Sequence, residues 1–309
     1  WCPPCRQMVP VLAALKAEYA GRASILFVDV DKSTLGMSPD ALRNFLVANA
    51  EMKDGVAYNK STGRRFAACV PMHTFGHPCR IDEIAEVCAE FAIPLVEDAA
   101  ESLGSYYKGK HTGGFGLLGA ISFNGNKIIT TGAGGMVVSN HADWAEHAKH
   151  LSTQAKADLL QFLHDEVGYN YRMTNVQASL GLAQLERLEG FIAHKKALYD
   201  RYVAALDGVK GLRILPFREE ACRSNHWFFS LYLKDSGLDR DTVIEKLQAQ
   251  HIQTRPVWAL IHEQADYPRN EAYGLDKALD YRKYIVNLPC STNLSFEDCD
   301  RVIEAVLGL

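Results

Sequence analysis

The chain has 309 residues, of which 48% are hydrophobic and 23% are charged, with a formal net charge of −4. This ordinary globular composition, without long runs of like charge, excludes a nucleic-acid-binding tail and an acidic activation segment. The apolar runs are shorter than the roughly 20 residues of a membrane-spanning helix, and the eight cysteines are too scattered for a disulfide framework. We therefore expect a cytoplasmic protein that binds neither nucleic acid nor membranes.

Short apolar segments alternate with amphipathic ones along the chain. Apolar spacing predicts helices at residues 6–20, 38–49, 81–91, 176–206, 242–250 and 298–307. Bounded apolar runs predict strands at residues 24–30, 65–70, 94–97, 120–123, 135–139 and 227–233. The alternation indicates an α/β fold with a parallel or mixed sheet, followed by a smaller α+β unit from about residue 194.

Two glycine-rich segments match nucleotide-binding patterns in the wrong context. Residues 114–119 fit GxGxxG, but they lead into a predicted strand instead of following one and opening a helix. Residues 104–110 fit most of a phosphate loop, but His111 stands where a Ser or Thr would hold magnesium. We reject both interpretations and expect flexible backbone that allows a close approach.

Four motifs together resemble the DegT-type sugar-nucleotide aminotransferases of pyridoxal phosphate (PLP) fold type I. They are VEDAAESLGS (96–105), SFNGNKIITTGAGGM (122–136), YNYRMTNVQAS (169–179) and QTRPVW (253–258). The resemblance implies a large PLP-binding domain at 28–193, N-terminally incomplete, with a mixed or parallel sheet, and a small α+β domain at 194–309. It also implies transfer of an amino group from an amino acid, glutamate by expectation, to a UDP-linked 4-keto sugar in bacterial surface-glycan synthesis.

The same resemblance assigns the two central residues. Lys127 is expected to bond to PLP as a Schiff base, which requires that burial and nearby positive charge lower its amine pKa. Asp98 is expected to keep the pyridine nitrogen protonated, so that the ring can accept electrons. The alternatives are a surface lysine and an aspartate that caps a helix.

The other candidate residues have weaker support. Ser122 is assigned to the cofactor phosphate, with a strand-edge role as the alternative. Asn175 is assigned to the phosphate held by a partner subunit, which implies a homodimer, or else it caps a helix. His73 and Glu101 match segments near the cofactor, and Glu101 stands where many relatives carry Gln; a structural role for His73 stays open. The substrate contacts are assigned to Arg255 and His262, with surface pairing as the alternative.

The first residues, WCPPCR, resemble the redox motif of thioredoxin-like proteins, and residues 1–27 are assigned to such a fragment. There the first thiol lies at a helix N-terminus, which lowers its pKa. The Gly-Thr pair and ring-stacking aromatic expected ahead of strand 24–30 are not found. A truncated fusion, a two-function protein cut at this end, and a chance motif stay open. The alternative functions are a thiol–disulfide oxidoreductase using Cys2 and Cys5, and an inactive truncated fusion.

Overall fold

The computed structural model describes residues 23–158, 160–215, 220–264 and 271–309. The predicted helix at 6–20 and the Cys2–Cys5 motif lie outside these ranges. The described helices are α1 (Pro39–Asn49), α2 (Ile81–Glu90), α3 (Ala142–Ser152), α4 (Asn175–Leu185), α5 (Leu188–Leu206), α6 (Arg240–Ala249), α7 (Asp276–Tyr284) and α8 (Phe296–Leu307). Among these, no helix is both long and apolar enough to cross a bilayer.

The strands are short, and several contain only two residues. They are β1 (Phe27–Val28), β2 (Ala50–Lys53), β3 (Val56–Asn59), β4 (Val96–Asp98), β5 (Tyr106–Tyr107), β6 (Lys110–His111), β7 (Leu118–Ser122), β8 (Gly135–Val138), β9 (Lys156–Asp158), β10 (Leu163–His164), β11 (Arg213–Ile214), β12 (Cys222–Arg223), β13 (Phe229–Tyr232), β14 (Arg255–Pro256), β15 (Ala272–Tyr273) and β16 (Ile285–Leu288).

Most predicted helices are confirmed, and local chemistry explains their ends. Helix α1 begins where the Ser38 hydroxyl accepts the Ala41 N–H at 3.2 Å, and Pro39 occupies its first turn. The single helix predicted at 176–206 is wrong, because the chain breaks between Leu185 and Leu188 into α4 and α5. The strand predicted at 65–70 is also wrong, since only isolated bridges form there.

A small mixed sheet carries the first half of the chain. Strand β4 pairs in parallel with β7, and β7 pairs antiparallel with β8. The carboxyl ends of β4 and β7 therefore meet at one edge of the sheet, where ligands of α/β proteins bind. A buried apolar cluster built from α1, α2 and the segment entering β4 supports this edge from one side.

A second sheet, in the order β11-β13-β16-β14, is antiparallel throughout. It packs with α5, α6 and α8 around a separate apolar cluster. Helix α5 contributes Leu188 and Ile192 to a third cluster, which also includes Phe123 and Ile129 near the first sheet. The boundary expected at residue 194 thus falls inside one continuous helix that packs on both cores.

The Glu97 carboxylate fixes the end of β4. Glu97 is fully buried, and its oxygens accept the backbone N–H groups of Gly113 and Gly116 at 2.7 Å, and that of Phe115. It also accepts a bond from His73 Nε2 at 3.0 Å. The pKa of Glu97 is lowered: burial by itself would raise it, but His73 and the backbone donors outweigh that effect. The GxGxxG-like segment therefore wraps an internal carboxylate.

Glu97→Gln is expected to destabilise the protein by at least about 3 kcal/mol, because charge-assisted hydrogen bonds contribute about 1.5–3 kcal/mol each. The Gln amide also places N–H donors against backbone N–H groups. Urea unfolding followed by circular dichroism measures this loss. The matched control is Glu90→Gln, which removes an exposed pair with Arg43 and should change stability by less than about 1 kcal/mol. Equal unfolding midpoints for both variants would contradict this role of Glu97.

Candidate active site

Lys127 lies in a loop that closes on itself between β7 and β8. The Thr131 N–H donates to the Phe123 carbonyl at 3.0 Å, and the Phe123 N–H donates to the Gly134 carbonyl at 3.0 Å. Ile128 and Ile129 are buried directly after the lysine. The loop is therefore anchored at its base and by its next two side chains, which leaves Lys127 in a fixed place at the end of β7.

Helix α4 holds the same loop from outside. The Gln184 side chain accepts the Thr130 N–H at 3.1 Å and donates to the Thr130 carbonyl at 2.6 Å. One amide thus replaces both hydrogen bonds that a neighbouring strand would make. A Cβ at Gly181 would lie 2.8 Å from the Thr131 methyl group, so this helix can approach only with glycine there.

The Lys127 amine lies between an acid and an aromatic ring. Its side chain is only 13% exposed, and its Nζ is 3.7 Å from Glu101 Oε1 and 4.0 Å from the centre of the Trp227 ring. The pKa of Lys127 is lowered, because burial outweighs the opposing charges of Glu101 and Asp98. A lysine with a lowered pKa is the group that bonds to aldehydes.

Glu101 is the acid beside this lysine, on the turn after β4. Its side chain is 7% exposed, and its Oε2 accepts the Phe75 N–H at 2.7 Å. Burial raises the pKa of Glu101 to about 7, although Lys127 and the Phe75 N–H act in the other direction. Glu101 therefore changes its charge close to neutral pH.

Asp98 and Ser122 end the two parallel strands. Asp98 is opposite Ala120 in the register of β4 and β7, so Ser122 lies two residues further along the neighbouring strand. Asp98 is half-buried, and its Oδ1 accepts the Ala100 N–H at 3.1 Å. Asp98 and Glu101 both act on the charge of Lys127, while the catalytic roles assigned to these residues stay a prediction.

Sequence reasoning missed Trp227 and Asn225. Asn225 is fully buried, and its Nδ2 donates to the carbonyl oxygens of Glu101 and Leu103 at 2.8 and 2.9 Å. Its Oδ1 accepts the Trp227 N–H at 3.0 Å, and the Trp227 indole N–H donates to the Asn126 carbonyl at 2.8 Å. In the sequence these residues are marked by polar side chains directly before an apolar strand (SNHWFF, residues 224–229). This pattern does not indicate which residues they contact.

The other predicted residues lie differently. Both ring nitrogens of His73 are engaged inside the fold, since Nδ1 accepts the Cys79 N–H at 3.2 Å and Nε2 faces Glu97. This favours a structural role, although the His73 backbone N–H also donates to the Asp98 carbonyl at 3.0 Å. The Arg255 guanidinium donates a hydrogen bond to the neighbouring Thr254 carbonyl at 3.2 Å. His262 packs on Phe27 with ring centres 6.1 Å apart. Asn175 is exposed, at the first position of α4.

These residues fit PLP in their chemistry. A lysine whose pKa is lowered by burial, a carboxylate at a strand end and a hydroxyl on the adjacent strand end are the donor types that hold its aldehyde, ring nitrogen and phosphate. The described part of the chain therefore has the groups of a PLP-dependent aminotransferase. The chain matches the model of the DegT/DnrJ/EryC1/StrS aminotransferase family over residues 12–307, and it belongs to that family.

Individual relatives agree with this assignment. The chain is 36% identical over 292 residues to a putative PLP-dependent aminotransferase EpsN of Bacillus subtilis, covering 93% of this chain and 72% of that protein. It is 34% identical over 304 residues to the GDP-perosamine synthase of Escherichia coli O157:H7, covering 97% and 77%. The aminotransferase TlmJ of Streptoalloteichus hindustanus superposes with a TM-score of 0.82 at 28% identity, covering 95% and 75%.

These matches confirm the predicted fold class, enzyme class and cofactor. A structure of a family member from Brucella abortus, at 24% identity and a TM-score of 0.80, shows the same fold. The family match begins at residue 12 and so overlaps the segment 1–27 that resembles a thioredoxin-like fragment. Cys2 and Cys5 lie outside both the match and the described residues, and their redox role stays a prediction.

Glu101→Gln is expected to change how stability depends on pH. The folded pKa of Glu101, about 7, exceeds its ordinary value of 4.5. Its contribution to stability is therefore fully present below about pH 4.5 and is lost as the pH rises through about 7. Between about pH 5 and about pH 8 the wild type should lose roughly 2 kcal/mol of unfolding free energy through this group, and the variant should not show this loss.

Urea unfolding of the PLP-free protein at those two pH values measures the difference. Glu51→Gln is the control, because Glu51 is exposed and paired with Lys53. If wild type and Glu101→Gln lose the same stability with rising pH, Glu101 does not titrate in this range.

Proposed function

We propose that the chain transfers an amino group from glutamate to the keto carbon of a UDP-linked 4-keto sugar, in the synthesis of a bacterial surface glycan. The observation that carries the proposal is the position of the Lys127 amine, 3.7 Å from Glu101 and coupled to the Asp98 charge. When bound, PLP supplies an aldehyde that takes up the amino group and a ring that accepts electrons. All other work falls to side chains.

Lys127 is proposed to hold the cofactor and then to move a proton to and from the substrate carbon. Its lowered pKa supports this, because a general base must be deprotonated near the working pH. Asp98 holds the proton on the pyridine nitrogen, and Ser122 and backbone donors bind the phosphate. Glu101, which accepts the Phe75 N–H, sets the charge beside Lys127.

The substrate is proposed from the motifs and supported by relatives. A match of 34% identity to a GDP-perosamine synthase supports a sugar nucleotide, although that relative is named for a GDP-linked sugar. The motifs HTFGHP and SFNGNKIITTG resemble those of UDP-sugar relatives, and this is the basis for proposing UDP. Arg255, inside the segment QTRPVW, and His262, four residues after it, are proposed to contact this substrate by resemblance to the family.

Lys127→Ala is expected to abolish covalent PLP binding and amino transfer. Borohydride reduction of the PLP-loaded wild type, followed by peptide mass spectrometry, should place the cofactor on Lys127. Lys53→Ala is the matched control, because Lys53 is exposed and forms a surface ion pair with Glu51. Modification of another lysine, or of none, would refute the assignment.

The same preparations test the substrate. Wild type is incubated with glutamate and with UDP-, GDP- or TDP-linked 4-keto-6-deoxy sugars, and the amino sugar is detected by mass spectrometry. We expect product with the UDP-linked sugar, and none from Lys127→Ala. Product from another nucleotide alone would overturn the UDP assignment while retaining the aminotransferase.

The proposal includes a homodimer, and helix α4 supports it. None of its residues, Asn175–Leu185, is buried, and Leu182 is 60% exposed. Leu182 follows Asn175 by seven positions, about two helical turns, so both lie on one face, whereas Gln184 and Gly181 face the Lys127 loop. An exposed apolar face of this kind marks an interaction surface. A partner on this face would receive Asn175 together with Leu182.

Leu182→Asp is expected to convert the dimer into a monomer, since a buried unpaired charge would oppose association. Sedimentation velocity at several protein concentrations measures the change. Val47→Asp is the control, because Val47 is also exposed but lies on α1, and it should leave the dimer intact. A monomeric wild type, or a dimeric Leu182→Asp, would contradict the proposed interface.

A further inference from the structure

Four aromatic rings form a cluster next to Lys127. The Trp227 ring, 4.0 Å from Lys127 Nζ, stacks against Phe228 and Trp258 with ring centres 4.0 and 6.0 Å away. Phe75 joins the cluster, with its ring centre 5.7 Å from those of Phe228 and Trp258. The Phe75 backbone N–H binds Glu101, and the Phe75 ring packs in the aromatic cluster. Phe75 therefore connects the cluster to the lysine site.

Trp258 is the accessible member of this cluster. Its side chain is 49% exposed, whereas Phe75 and Trp227 are each 2% exposed. It follows β14, which pairs with β16, and the rings of Phe75, Trp227 and Phe228 pack against it. The indole is thus held by packing, while about half of its surface stays open to solvent.

The distances limit what can lie over that open surface. The Trp258 ring centre can be no more than about 10 Å from Lys127 Nζ, because Nζ is 4.0 Å from the Trp227 centre and the two indole centres are 6.0 Å apart. The reacting carbon of a substrate must come next to this amine. A hexose ring around that carbon is therefore within reach of Trp258, whereas an extended nucleotide places its base beyond the diphosphate and the ribose.

Aromatic surfaces suit the C–H-rich faces of such rings. Binding pockets for small molecules are lined mainly by apolar and aromatic side chains with few polar groups. Trp has the largest ring among them and loses little conformational entropy when it is already packed on one side. A 6-deoxy sugar, with a methyl group in place of a hydroxyl, increases the apolar area available to the indole.

We infer that Trp258 is a stacking platform for the hexose ring of the sugar nucleotide. Trp227 packs against Trp258 and lies next to the Lys127 amine. This inference rests on the proposed function and adds the subsite that recognises the sugar. Trp258 touches the sugar and not the amino donor. It therefore acts in the second half of the reaction, and the first half proceeds without it.

The test compares two ligands on Trp258→Ala. Isothermal titration of the PLP-loaded protein, without amino donor, measures binding of the UDP-linked 4-keto-6-deoxy sugar and of free UDP. We expect the sugar nucleotide to bind about tenfold more weakly, the size of one lost aromatic contact, and UDP to bind as to wild type. Trp258→Phe should recover most of the affinity. Equal weakening for both ligands would mean that Trp258 stacks on the base and would overturn the inference.

The amino-donor half-reaction is the internal control. Conversion of the PLP form by glutamate, followed by its absorbance, should proceed at the wild-type rate in Trp258→Ala, which also reports an intact site. Trp144→Ala, a change of another half-exposed tryptophan on α3, should leave both ligands and both half-reactions unchanged. A wild type without the glutamate reaction would refute the proposed function itself. If the wild type reacts with glutamate, and Trp258→Ala binds the sugar nucleotide as tightly as the wild type does, then only the role of Trp258 as a platform is refuted.

Discussion

The architecture of the site depends on one buried carboxylate. Glu97 gathers three backbone N–H groups of the 113–116 segment and the His73 ring around the end of β4. Three of these donors belong to one segment and the fourth to His73, and each would be costly to bury without a partner. Because all of them converge on Glu97, they fix the height and rotation of the strand end. The next residue in the chain is Asp98.

The alternation of side chains along β4 then places the structural residue Glu97 and the candidate site residue Asp98 on opposite faces. Successive side chains of a strand point to opposite faces, so Glu97 can be sealed inside while Asp98 faces the other way, half-buried beside the Lys127 site. Glu101 follows on the turn and is held by the Phe75 N–H and, through its carbonyl, by Asn225. One short segment, VEDAAE, thus supplies the anchor, the acid that we propose for the ring nitrogen and the neighbour of the lysine.

The sequence predicted those parts of the site that are local. Asp98 and Lys127 each follow an apolar run, and the carboxyl ends of adjacent parallel strands meet by rule. Trp227 and Asn225 could not be found this way, because they lie about 100 residues from Lys127 in the chain and reach it only through tertiary packing. The break in the helix predicted at 176–206 was missed for a similar reason: apolar spacing continues across residues 186 and 187, while the contact of α4 with Thr130 is tertiary.

The charges around Lys127 define how the site can change state. Two acids, Glu101 and Asp98, favour the protonated amine, while burial opposes it. One of these opposing charges is removable, because Glu101 takes up a proton near pH 7. Burial then meets less opposition and lowers the pKa of Lys127 further. Glutamate at position 101 therefore makes the basicity of Lys127 depend on pH near 7.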